Sequence, residues 1–281
     1  MDVTDLLPLA TDLPEDVAQN ALDLLDRMSA TIEGIGDQDI EWKPPMLKVV
    51  QATTDRSTLP KGANIGDLVL GDEKIEQPLR VIPLRMWDSR NMFSPDKDDK
   101  RVLCFSPDAV VGSSGQACRS CPHQVFNQEE NTVDCTKNKT FLCITSDFRH
   151  ILVANFAKTN YANGMEWNGL LKKAGVATYR RVYELHTESS KKHKNVEALI
   201  ATPVSLPEGN TSVEVRPFLQ ALFERVSEDR KKHLIAFKEA AEAKVAALPA
   251  PAQESEPAGL LEAKAEEASS EQSELSQKYS L

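Results

Sequence analysis

The chain has 281 residues, of which 33 are Lys or Arg and 43 are Asp or Glu, with a formal net charge of −10 and 41% hydrophobic content. That composition is globular, and the length gives room for one domain of about 150 to 200 residues with segments left at both ends. No stretch approaches the ~18 apolar residues of a membrane helix, and MDVTDLLPLATDL lacks the charged and apolar regions of a secretion signal, so a soluble cytoplasmic protein with no membrane contact is expected.

The charge is unevenly spread. Residues 1–45 carry 11 acidic and 2 basic side chains, and residues 251–281 carry 7 and 2. Residues 137–200 reverse the balance, with 11 Lys and Arg against 5 Asp and Glu. A low overall pI therefore does not argue against a polyanionic partner.

The first predicted element is a helix from Leu13 to Ile32, opened by Pro14, Glu15 and Asp16 and stopped at Gly34 and Gly36. Its apolar residues recur at helical spacing, and it reads as a cover on the domain within an acidic N-terminal segment, residues 1–43. From Pro44 to Pro207 the pattern changes to short strands: MLKVVQAT, LRVIPLRMW, VLCFS, KTFLCITS, RHILVANFAK, TYRRVYELHT and NVEALIATPV. Short strands separated by turns predict a small barrel, residues 44–208, interrupted by a helix at Gly164–Ala174. Pro83 inside its strand marks an edge or a bulge.

Within that core, Cys104, Cys118, Cys121 and Cys135 are spaced C-x13-C-x2-C-x13-C. A CxxC turn with two outlying partners in a reducing compartment predicts a closed, structural zinc site in an insertion at about 104–135. His123 could replace one thiolate. Cys143, the fifth cysteine, could do so less easily, because it falls in an alternating strand that would bury it.

The chemistry expected of the basic segment is single-strand binding. Read as one strand, TYRRVYELHT puts Tyr179, Arg181 and Tyr183 on one face, two rings and a guanidinium of the kind on which unstacked bases lie. Phe156, Lys158 and Tyr161 extend the platform, as do Lys172 and Lys173 at the end of the short helix. Lys191, Lys192 and Lys194 add loose phosphate contacts. Arg85 and Trp87, with Arg80 and Arg90 beside them, repeat the basic-plus-aromatic texture on another strand.

A second helix is predicted over 212–248, packed on the barrel or self-associating, which leaves a homo-oligomer open. Residues 249–281 are rich in Ala, Ser, Glu and Pro and read as a disordered acidic tail. Its end, Tyr279 to Leu281, offers a grip to a partner. The glycines of KGANIGDLVLG lack the GK[ST] of a phosphate loop, and HExxH, GxSxG and dinucleotide motifs are absent, so a non-enzyme is expected. Asp96, Asp98 and Asp99 read as a turn.

This layout of mainly β core, cysteine-bearing insertion and acidic tail resembles the single-stranded DNA-binding proteins of tailed phages over roughly residues 44–281. The resemblance implies an OB-like β-barrel with α additions, coating of single-stranded DNA in replication and recombination, and a tail that contacts replication or transcription proteins. The chain departs from the zinc-containing member in offering four cysteines rather than three with a histidine. It also ends in Leu281, where many such tails end in Phe. The competing expectation is a zinc-containing transcription or replication cofactor that binds a polymerase and touches DNA weakly.

Overall fold

The computed structural model describes residues 3–29, 44–94, 101–125, 133–190 and 195–246. The segments that hold Asp96, Asp98 and Asp99, the lysines at 191, 192 and 194, the end of the first predicted helix and the acidic tail lie outside these residues. The described residues up to Lys244 form one compact unit.

The fold is mainly β. The strands are β1 (Met46–Val49), β2 (Leu68–Leu70), β3 (Glu73–Ile75), β4 (Leu79–Phe93), β5 (Val102–Ser106), β6 (Cys135–Thr145), β7 (Ile151–Ala157), β8 (Tyr183–Ser189) and β9 (Glu197–Pro203). Among the described residues they form one nine-stranded sheet in the order β3-β2-β1-β7-β6-β4-β8-β9, with β5 paired to the far end of β4. The helices are α1 (Leu7–Thr11), α2 (Glu15–Ser29), α3 (Tyr161–Ala174) and α4 (Arg216–Ala246). None of the described helices is long and apolar enough to cross a membrane.

β4 organises the sheet. It pairs with β6 over almost its whole length, with β8 through Leu79–Val81, and with β5 through Arg90–Phe93. Pro83 has no amide proton for the ladder, and the register with β6 shifts between Pro83 and Arg85, so of the edge or bulge expected at Pro83 the strand shows the bulge.

The sheet curls into a half-barrel with apolar residues on both faces. Along β6, Phe141 and Cys143 point into the curl, and Leu142 and Ile144 point to the helices outside. Inside, α3 fills the hollow: Trp167 stacks on Phe141 with centroids 4.0 Å apart, and Phe156 and Tyr183 meet the indole at 5.8 and 5.6 Å. Outside, α1, α2 and the first turns of α4 cover β4 and β6 through Leu24, Leu25, Phe218 and Leu222, all buried. The N-terminal helix is thus a cover on the sheet, as its apolar stripe predicts.

The seam of the half-barrel is closed by side chains. Gln51, just past β1, donates to the carbonyl of Glu197 at 2.7 Å and accepts from its amide at 2.9 Å. Asn163 of α3 donates to the carbonyl of Leu199 on the same strand at 3.2 Å.

Gly164 is where α3 touches the sheet most closely, since a Cβ there would lie 2.6 Å from Phe156 Cβ and 3.0 Å from Lys139 Cβ. Gly→Ala inside a helix ordinarily stabilises by about 1 kcal/mol. Here the overlap is with atoms rooted near the backbone, and Gly164→Ala is expected to destabilise by about 1–3 kcal/mol in urea titrations.

Candidate metal centre and basic surface

The tyrosine platform is not on the surface. Tyr183 is 2% exposed and Phe156 0%, both inside the aromatic cluster around Trp167. Tyr179 is 7% exposed and packs on Phe223 of α4 in the outer core, with centroids 5.5 Å apart. The reason is local: Thr178–Arg180 form a single 3-10 turn and the strand starts only at Tyr183, so the two rings fall on opposite faces of the sheet. Burial raises the Tyr183 hydroxyl above its usual pKa, and Arg181 opposes the shift. Arg181 itself pairs by backbone with Asn210, and its Nε is buried without an acceptor.

The other expected contacts scatter. Lys158 is exposed in the turn that enters α3, with a left-handed φ of 50°. Lys172 and Lys173 are exposed in the last turn of α3, where they complement the helix dipole. At 1.5 Å per residue they lie about 16 Å from Tyr161. Arg85 and Trp87 face α4. Arg85 donates to Ser227 Oγ, and the guanidinium of Arg230 lies 3.9 Å from the centre of the Trp87 ring.

Of the expected residues Tyr161 alone falls into a compact charged group, and its neighbours come from β4 and β6. On the inner side of these strands the alternation Phe141, Lys139, Lys137 runs out of the core toward the insertion. Asp88 stands opposite Lys139, and Arg90 opposite Lys137. Lys139 is buried and bonded to Asp88 at 2.6 Å, while Lys137 reaches the same carboxylate at 3.7 Å. The Lys137 ammonium lies 5.5 Å from the centre of the Tyr161 ring. Its pKa is raised, first by the hydrogen bond to Tyr161 and then by Asp88, against burial and the charge of Arg90. Arg90 makes no ion pair among the described residues. Three cations thus gather around one carboxylate, and like charges directly opposite in a ladder cost roughly 0.2–1 kcal/mol. The signal for Lys137 and Lys139 was the period-two run KNKTFLC; nothing in the sequence named Arg90 as the residue across from it.

Arg90 also walls a cavity of about 180 Å³ at the end of this ribbon, lined by Cys104, Cys118, Cys121, Cys135 and His123 among others. All four spaced cysteines therefore face one space. Cys118–Ser120 form a 3-10 turn, with the Cys121 amide bonded to the Cys118 carbonyl at 3.2 Å. A Cβ on Gly112 would stand 2.7 Å from Cys104 Sγ, so the glycine leaves that sulfur its place. Burial pushes the Cys135 thiol up, and a hydrogen bond from Arg90 opposes it. His123 bonds Asp134 at 3.0 Å. Cys143 sits apart, fully buried in the inner core, where desolvation strongly raises its thiol. Among the described residues no three His, Cys, Asp or Glu side chains converge closely enough to form a metal site as they stand. The donor set fits zinc in kind: four thiols facing one cavity, with a guanidinium to offset their charge.

No family model, no curated protein and no solved structure matches the chain.

With Tyr183 in the core, Tyr183→Ala should cost about 3–5 kcal/mol of stability, the range of large aromatic truncations. A urea midpoint and slope equal to those of the wild type would return the ring to the surface.

Proposed function

We propose that this chain binds single-stranded DNA with little sequence preference through the Arg90, Lys137 and Tyr161 face of an OB-like barrel. The observation that carries the reading is Arg90 directly opposite Lys137, two cations whose one ion-pairing carboxylate among the described residues, Asp88, is shared by two lysines. Such a pair is relieved by an incoming phosphate, while the Tyr161 ring beside it gives a base a surface to lie on. The order of elements supports the barrel type. With β5 set aside as part of the insertion, β4, β6, β7, α3, β8 and β9 come in that order, the first strand long, bulged and shared between β6 and β8. OB barrels bind oligonucleotides across their second and third strands, between the loops that join strands one to two and four to five. In that scheme the second and third strands are β6 and β7. The first of those loops is the cysteine insertion and the second carries Lys191, Lys192 and Lys194.

In the same reading Cys104, Cys118, Cys121 and Cys135 would hold a structural zinc, which supplies cross-linking to a segment poor in apolar contacts and no chemistry. The protein acts without catalysis in the cytoplasm, and the acidic segment 249–281 serves as a handle for replication or transcription proteins. A second reading, a cofactor that docks on a polymerase, draws on the apolar side chains the insertion and its flanks leave exposed: Phe93, Val102, Leu103, Phe105, Val110 and Val125.

Two measurements test the proposal. Labelled oligo(dT) should bind far more tightly than duplex at moderate salt. Lys137→Ala should weaken it and flatten the slope of log affinity against log salt by about 0.7, the share of one phosphate on a single strand. Equal affinity for duplex and single strand sinks the DNA reading. Metal analysis should find about one zinc per chain, lost in Cys121→Ser. Full zinc in Cys104→Ser together with loss in His123→Ala would exchange Cys104 for His123 in the ligand set.

A further inference from the structure

β4 presents a second group of cations on its other face. Arg85 and Trp87 project toward α4, opposite Leu142 and Thr140, whereas Asp88 and Arg90 lie on the inner side. Arg230 comes down from α4 onto this face. Its guanidinium covers the Trp87 ring at 3.9 Å and donates to the Pro107 carbonyl at 2.7 Å. Arg85 donates to Ser227 Oγ and lies 6.0 Å from the centre of the Phe223 ring. Neither guanidinium has an ion pair among the described residues.

The nearby carboxylates are engaged elsewhere. Asp108 is bonded to Lys238 at 3.2 Å, and Asp229 to Arg225 at 2.6 Å. Burial and the charge of Arg85 lower the Arg230 pKa to about 10, and Asp108 only partly opposes them. Each guanidinium thus lies against its own ring and donates to a neutral acceptor, and with two like charges near one another the pair can take an added anion. A planar fork of N–H donors matches the oxygens of a phosphate bidentately.

We propose that Arg85 and Arg230 form a second phosphate site, taken by the same single strand that contacts Arg90 and Lys137; this rests on the nucleic-acid reading above. The two groups lie on the same strand, on opposite faces of β4. β8 leaves β4 at Val81 and β5 joins it only at Arg90, so on that side residues 82–89 have no strand partner among those described. Thr178 fills one position by donating to the Leu84 carbonyl. From Arg85 to Arg90 the strand rises about 17 Å at 3.3 Å per residue, a separation that a few nucleotides of one strand would span. The site also brings α4 into binding, a role the sequence did not suggest for Arg230.

The test uses the full chain, labelled oligo(dT) and a salt titration, with thermal melts in parallel. Arg85→Gln and Arg230→Gln should each weaken binding and flatten the salt slope by about 0.7, and Arg85→Gln should leave Tm unchanged or raised, because it removes a like-charge contact. Arg230→Lys should keep the slope. If Arg230→Lys loses affinity and Tm as fully as Arg230→Gln, the guanidinium is a packing group and the proposal falls. Unchanged affinity in both Gln variants, while the wild type binds and Lys137→Ala weakens it, also overturns the second site and leaves the first. A wild type that does not bind oligo(dT) removes both.

Discussion

The stacking of Trp167 on Phe141, 4.0 Å between centroids, fixes how this sheet can curl. The indole comes from the middle of α3 and the phenyl from the middle of β6, so the contact holds the helix in the hollow and forces the strands around it. Phe156 and Tyr183 complete the cluster. Gly164 permits it, since no side chain larger than hydrogen would let α3 approach β7 this closely. The cluster also uses up the rings. A segment whose aromatic content suggested a stacking surface spends most of it on the interior, where each buried ring contributes far more to stability than an exposed one could.

That demand decides where charge can lie. On the inner face of β6 the core ends at Phe141, and the next two inward positions are Lys139 and Lys137. Here β6 meets only the first turn of α3, with Gly164 against Lys139 and Tyr161 beside Lys137, so these positions can carry charge. Asp88 satisfies the buried ammonium of Lys139, leaving the outer pair, Arg90 and Lys137, in excess. The cysteine cavity lies at the end of the β4–β6 pair. α4 ties that end to the body of the protein through Arg230 on Pro107, Lys238 on Asp108 and the edge contact of Phe237 with Phe105. The insertion is therefore held at its base by strand pairing and at its side by a helix from the far end of the chain.

Much of this was legible in the residues. Alternation found β1, β4 to β7 and β9, and Pro83 marked the irregularity in its strand. The cysteine spacing anticipated that four distant thiols would share one space. The β2–β3 hairpin was missed because two strands of three residues give no period to count, and its glycines resembled those of a loop. TYRRVYELHT misled because a 3-10 turn occupies its first residues, and one misplaced turn sends two tyrosines to opposite cores. The basic site was half visible. Period two places Lys137 and Lys139 in line with Phe141, but a strand's own sequence does not name the residue across the ladder. Arg230 carried no signal at all, since an arginine on a long polar helix looks the same whether it meets water or an indole.

The free side of β9 has a further meaning. An edge strand offers unpaired amides and carbonyls to any extended chain that passes, and proteins commonly blunt such edges with lysine, proline or a bulge. Here the amides of Gln51 and Asn163 occupy the Glu197 and Leu199 positions with three hydrogen bonds. Each offers the edge what a neighbouring backbone would offer, and then ends, because a side chain cannot propagate a ladder. A second molecule adding its own strand at this edge would first have to displace both. The half-barrel is thus closed to growth along that strand, and copies of the chain at high local concentration would not join their sheets there.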